Sequence, residues 1–282
     1  VLDSPTYRTW NSLRSAEDAR NVCLALPRFL LRAPYGSQNE ISEFDYEENA
    51  VEGDDFCWGN AAFALATRVV DSFAKYRWCP NIIGPKSGGA VTGLPSYVYD
   101  RDGKFFVAGP VEIPISDRRE YEFSNLGFAP LTLRKGTDNA SFFSANSIQK
   151  AKFFGSDAEA KQAELNYKLG TQLPYLFVVT RLAHYLKVLQ RENLGGWVSR
   201  GEIEAELNRW IRSYVADQEN VPSAMRSSRP LRNAKIAVSD IPSSAGWFAI
   251  SMEVTPHFKF MGANFTLSLT GSVEAGGEAA EV

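Results

Sequence analysis

The chain has 282 residues, room for about two average domains or one large one. Lys and Arg total 30 against 33 Asp and Glu, a formal charge of −3, and 44% of residues are hydrophobic. This is globular composition, and the near-neutral balance excludes a protein built to coat nucleic acid. With 3 Cys and 2 His, a disulfide scaffold, a four-ligand Cys/His zinc module and a His-rich metal centre are excluded as well.

In chain order, Ala16 to Leu31 carries Ala19, Val22, Cys23, Leu26 and Leu30 at helical spacing, with Ser15, Glu17 and Asp18 at its start and Pro27 as a kink. Glu40 to Asp55 is dense in acids and reads as an exposed connection. Trp58 to Tyr76 predicts a second helix with Ala62, Leu65, Ala66, Val69, Val70 and Phe73 in one stripe. Residues 80–150 are rich in Gly, Pro and short β-branched runs, which predicts short strands, loops and a polar helix over Asp117 to Leu126. Phe142, Phe143, Phe153 and Phe154 are expected to add aromatic core. Helices follow over Asp157–Leu169 and Leu173–Arg191. Ser199 and Glu202 form a capping box opening a helix that buries Ile203, Leu207, Trp210, Ile211, Tyr214 and Val215. Three alternating stretches, around Ala234–Val238, Trp247–Thr255 and Asn264–Thr270, predict an antiparallel meander with one wet face. Gly271–Val282 reads as a mobile acidic tail. The expected divisions are 1–155, 156–270 and 271–282.

No stretch reaches the ~18 to 20 apolar residues of a membrane span. The most apolar window, Leu173 to Leu189, is interrupted by Arg181, His184 and Lys187. Cys23, Cys57 and Cys79 have apolar or aromatic neighbours and read as buried, reduced thiols of a cytoplasmic protein. The chain opens at Val1 rather than Met, which suggests a longer parent product.

Motifs that carry chemistry are scarce. Gly84–Gly89 lacks the Gly-Lys-Ser/Thr ending of a phosphate loop and reads as a structural glycine turn. His184 sits near Arg181, Lys187 and Arg191, and His257 follows Pro256 at a strand end; neither reads as a ligand or catalyst. The acid pairs Glu47–Glu48, Asp54–Asp55 and Asp100–Asp102 lie in loop-like stretches, and Arg118-Arg119-Glu120 reads as a surface ion-pair patch. No catalytic, metal or cofactor site emerges.

Several segments nevertheless occur together in a recognisable order. They are Leu26–Gly36 (LPRFLLRAPYG), Phe56–Ala66 (FCWGNAAFALA), Ile115–Glu120 (ISDRRE), Leu126–Leu131 (LGFAPL) and Ser147–Lys150 (SIQK). Leu173–Leu176 (LPYL), Arg181–Lys187 (RLAHYLK), Leu207–Ile211 (LNRWI), Arg229–Leu231 (RPL) and Pro256–Phe258 (PHF) continue the series. The ordered set resembles the large subunit of the type VI secretion contractile sheath, the TssC/VipB (ImpC, EvpB) family, without that family's N-terminal region.

The resemblance implies a contractile-tail-sheath-like α+β (mixed α/β) fold, with helices packed on mixed sheets and a C-terminal strand meander. It implies a non-enzymatic structural protein without cofactors that takes part in neither nucleic-acid binding nor membrane insertion. The implied partners are a small sheath subunit (TssB/VipA type), further copies of the chain in a helical polymer, an inner tube of hexameric rings (Hcp type) and a baseplate. A ClpV-type ATPase disassembles such sheaths, an interaction expected to run through the absent N-terminal region. Sheath subunits share sheets completed by strands from other chains, which points to Phe248, Ile250, Met252, Phe265 and Leu267 as intersubunit strand-pairing positions. Arg181, Lys187, Arg191, Arg209 and Arg212 are the cations expected to face the inner tube or another partner. The alternatives are a phage-derived tail sheath, which would use one sheath polypeptide, and a carboxylate-based hydrolase.

Overall fold

The computed structural model describes residues 4–37, 39–50, 55–152, 154–155, 157–192, 199–217, 222–241, 247–257 and 267–274. The elements are α1 (Arg8–Ser15), β1 (Leu24–Leu26), β2 (Phe29–Leu30), β3 (Trp58–Gly59), α2 (Ala61–Tyr76), β4 (Ala90–Val91), β5 (Tyr97–Arg101) and β6 (Lys104–Ala108). They continue with α3 (Asp117–Asn125), β7 (Phe128–Leu133), β8 (Ala140–Phe142), α4 (Ala158–Gly170), α5 (Leu173–Glu192), α6 (Arg200–Arg212) and α7 (Ser223–Ser228). The last strands are β9 (Leu231–Asp240), β10 (Trp247–Pro256) and β11 (Leu267–Glu274). This is a mixed α+β chain. It forms two compact units, one of residues 1–75, 81–151 and 171–173, the other of residues 76–80, 152–170 and 174–282.

The first unit is built on a four-stranded sheet in the order β1-β7-β8-β4, with β1 parallel to β7 and the other pairs antiparallel. Its inner positions Ala129, Leu131, Ala140 and Phe142 are fully buried. Arg14 reaches in from α1, donating from Nε to the Ile148 carbonyl at 2.8 Å and from Nη2 to the Asn125 carbonyl at 3.3 Å. A smaller cluster gathers Leu30, Ala50 and Phe56 against Trp58, Tyr97 and Tyr99.

Four expectations differ from the structure, most of them in this unit. The helix over Ala16–Leu31 is instead a short 3-10 turn (Glu17–Asn21) followed by β1 and β2. Pro27 lacks an N–H and disfavours helical backbone at Leu26, so the apolar run pairs with Phe128–Pro130 as a strand. Of the expected stripe on α2 only Leu65 is buried, whereas Ala62 and Ala66 are exposed, Val70 is 66% and Phe73 41% exposed; the buried face is Ala61, Ala64, Leu65 and Ser72. Thr67, Arg68, Asp71, Ser72 and Lys75 share one side of the helix, so its periodicity is that of an amphipathic helix, but most of the apolar side is exposed in this structure. Of the four phenylalanines, Phe142 is core while Phe143 and Phe154 are exposed, and Phe153 lies outside the described residues. The three thiols are half-buried rather than fully so; burial pushes Cys23 up to about 11.

Several acids of this unit have local structural partners. Arg32 donates to both oxygens of Glu48 at 2.6 and 2.7 Å, and the Tyr35 N–H adds a third bond at 3.0 Å. The bonds from the Arg32 guanidinium, outweighing partial burial, hold the Glu48 carboxyl down at about 2. A carboxylate titrates near 4.3 when unfolded, so the pair stabilises the fold above that pH and the contribution is lost as pH falls toward 2. Because both side chains are partly solvated, Glu48→Gln is expected to cost about 1 kcal/mol at pH 6. Urea midpoints of wild type and variant should differ at pH 6 and converge near pH 2. Asp100 accepts from the Gly103 N–H in the β5–β6 turn, and Arg118 and Arg119 both reach Glu122, while Glu120 accepts from the Ser144 hydroxyl. Asp54 lies outside the described residues.

The second unit packs α5 and α6 against the antiparallel sheet β11-β10-β9. Val178, Leu182, Ile203, Leu207, Ile211, Ile236, Ile250, Met252 and Val254 form its core. The Ser199 hydroxyl accepts from the Glu202 N–H and Glu202 returns to the Ser199 N–H, the expected capping box. Trp78, Trp210 and Tyr214 meet edge-on at its margin, with centroids 5.4 and 5.6 Å apart. Gly271–Glu274, expected in a mobile tail, instead complete β11 opposite Trp247–Ile250. Residues 275–282 lie outside the described residues.

Candidate functional site

The strand meander was the feature expected to join chains, and its register defines what it can offer. β10 is the central strand, with Met252 opposite both Ile236 of β9 and Leu269 of β11. Its backbone is therefore partnered on both sides. Ile250 is 1% exposed and Met252 fully buried, both in the core of their own unit, and Phe248 packs against that core half-buried. Leu267 begins β11 opposite Val254; Phe265 lies outside the described residues. An interchain strand would join an outer edge, that of β9 or of β11, rather than β10.

The outer edge of β9 is occupied. The Asn208 side-chain amide donates to the Ile236 carbonyl at 2.7 Å, and the Ile236 N–H returns to Asn208 Oδ1 at 3.1 Å. One turn earlier on α6, Glu204 Oε2 accepts from the Val238 N–H at 3.3 Å. At the start of the strand, Ala216 N–H donates to the Leu231 carbonyl at 2.9 Å and Leu231 N–H to the Tyr214 carbonyl at 3.2 Å. Helix α6 and the residues after it thus stand where a fourth strand would lie. Among the described residues, no strand pairs with the outer side of β11.

The five predicted cations separate. Arg181 turns inward: Nε donates to the Tyr185 hydroxyl at 2.8 Å, Nη1 to the Arg77 carbonyl, and the guanidinium lies 4.7 Å from the Trp78 ring centroid. Lys187 and Arg191 remain exposed on α5, and Arg209 and Arg212 are exposed on α6, opposite buried Ile203, Leu207 and Ile211. His184 is exposed; burial and then Arg226 and Arg232 lower the His257 imidazole from its ordinary value. Among the described residues no group of three His, Cys, Asp or Glu is arranged to hold a metal, and no helix is long and apolar enough to cross a membrane.

Sequence reasoning missed Asn208 and Glu204. A signal was present: each directly follows a buried position of the apolar stripe, Leu207 and Ile203, and they are four residues apart on the flank nearest the sheet.

Residues 1–149 match the family described as "EvpB/VC_A0108, tail sheath N-terminal domain", and residues 162–273 the one described as "EvpB/VC_A0108, tail sheath gpW/gp25-like domain". These matches define a tail-sheath protein. The chain belongs to the VipB/EvpB family of type VI secretion sheath large subunits. It is similar to "Type VI secretion system sheath protein TssC1" of Pseudomonas aeruginosa (strain PAO1), at 36% identity over 285 residues, covering 99% of this chain and 56% of that protein. The chain spans about half the length of this curated relative.

Proposed function

We propose that this chain works as a structural, non-catalytic large subunit of a cytoplasmic contractile sheath. It pairs with a small sheath subunit, polymerises around an inner tube, and shortens on triggering to drive tube and spike outward. The observation that carries the reading is the pair of tail-sheath domain matches, in order, over residues 1–149 and 162–273. Main-chain pairing between subunits suits the task, because a shared strand keeps neighbours connected while rigid bodies rotate. Lys187, Arg191, Arg209 and Arg212 supply exposed charge for a modest, polar contact with the tube, a surface that must release during contraction. A baseplate contact and recycling by a ClpV-type ATPase follow from the same reading.

Co-expression of the full-length protein with its small subunit is expected to give tubular polymers in negative-stain micrographs. Soluble monomers under all assembly conditions would overturn the proposal.

A further inference from the structure

We infer that the outward apolar side of α2 is an internal face of the full-length protein, covered by an amphipathic helix from the part of the same polypeptide outside residues 1–282. Ala62, Phe63, Ala66, Val70 and Ala74 are exposed, Phe63 at 70% and Val70 at 66%. They share one side of the helix, and no charged or polar residue falls among them. An amphipathic helix normally turns such a side to a core and its charges to solvent. α2 does the reverse. What it buries, Ala61, Ala64, Leu65 and Ser72, lies toward the side that bears Arg68 and Asp71.

Hydrogen bonds fix this rotation of the helix. Arg68 Nη1 donates to the Ala90 carbonyl at 2.8 Å, and the Ser72 hydroxyl accepts from the Asn81 N–H at 3.3 Å. Rolling the apolar side inward would break both bonds, so that side is left for another element.

The spacing identifies the kind of element. Phe63, Ala66, Val70 and Ala74 stand three, four and four residues apart, the ridges and grooves by which one helix packs along another. The stripe from Ala62 to Ala74 is about 18 Å long, a little over three turns. Its alanines let two helix axes approach to about 8 Å. A helix of three or more turns with an apolar stripe of its own fits this face, and a charged surface does not.

The source is the same polypeptide. The chain matches 56% of its curated relative, so nearly half of that relative lies outside the match, ample for such a helix. The composition of the face agrees. Contacts that form and release carry polar and charged groups, whereas permanent ones resemble the inside of a domain. An uncharged stripe is of the second kind, while a contact between subunits that shift during contraction is of the first. The inference goes beyond the sheath reading and does not depend on it.

The test places Val70→Cys in residues 1–282 and in the full-length protein and follows maleimide labelling by mass spectrometry. Trypsin releases position 70 within Val69–Lys75, a peptide without a native cysteine. Labelling is expected to be fast in residues 1–282 and about a hundredfold slower in the full-length protein alone, at every protein concentration. Val70→Glu is expected to leave the thermal midpoint of residues 1–282 unchanged and to lower that of the full-length protein by about 5 °C. Slow labelling in residues 1–282 would mean that the chain covers its own helix, and fast labelling in the full-length protein that no part of the polypeptide does; either overturns the inference. Protection that appears only on adding the small subunit, or that grows with protein concentration, overturns the assignment to the same polypeptide. Tube formation by the wild type is a separate measurement, so each of these failures leaves the sheath reading standing.

Discussion

Ile250→Lys is expected to unfold the C-terminal unit rather than merely block assembly. Ile250 is 1% exposed, at the centre of β10, among Met252, Val254, Ile236 and Val238 in a core that includes the buried residues of α5 and α6. A lysine there has no carboxylate on the core side to pair with among these residues, so it must give up its charge. A free ammonium titrates near 10.4, and holding it neutral at pH 7 costs about 5 kcal/mol. That is comparable to the whole stability of a typical domain. Circular dichroism with urea titration should show the unit's transition lost or shifted to very low denaturant. Ala237→Lys, on the exposed face of β9, is the control and should change stability by about 0.5 kcal/mol or less. A cooperative, near-wild-type transition for Ile250→Lys would mean that position 250 is not core. Loss of tubes in this variant would therefore report on folding rather than on an interface.

The place of Ile250 on the central strand also explains what the sequence made legible. Strict alternation announces a strand and its buried face, so β9 and β10 could be read from their apolar positions, and the Ser199–Glu202 capping box placed the start of α6. Alternation does not say which strand is central. Edge status depends on pairing over tens of residues, and it is decided here by Asn208, a polar side chain on a helix with no unusual local pattern.

Helical spacing misleads where tertiary pairing outweighs it. Ala19 to Leu30 has the spacing of a helix, yet Pro27 divides it and the strands Leu24–Leu26 and Phe29–Leu30 find partners about a hundred and about thirty residues away. Arg181 illustrates the same limit for charge. Its spacing with Lys187 and Arg191 suggests an exposed basic stripe, but Trp78 and Tyr185 offer two ring faces and Arg77 a carbonyl, and a guanidinium stacks on such faces readily. The outward stripe of α2 is the reverse case, an apolar face whose exposure no periodicity could announce.

The Gly84–Gly89 turn carries the second large effect, and its geometry explains why it reads as structural. Gly84 N–H donates to the Phe142 carbonyl at 2.7 Å, Phe142 N–H to the Gly89 carbonyl at 3.0 Å, and Gly89 N–H to the Gly84 carbonyl at 2.9 Å. The amides of Gly84 and Gly89 are thus spent on the turn itself and on β8, whose Phe142 is fully buried. Gly88 holds φ at +104°, a conformation that L side chains rarely adopt, and a Cβ there would overlap the Asn81 carbonyl. Gly88→Ala must therefore both pay backbone strain and displace backbone that is tied to the core sheet. The expected loss is about 3 kcal/mol. Gly93 separates the two causes: its φ is +68° but nothing lies within 4 Å of an added Cβ. Gly93→Ala should cost only the conformational part, about 1 kcal/mol. Urea midpoints for the two variants would measure the difference directly. Equal losses would mean that the close approach of Asn81 contributes nothing, and that the turn relaxes freely away from Phe142.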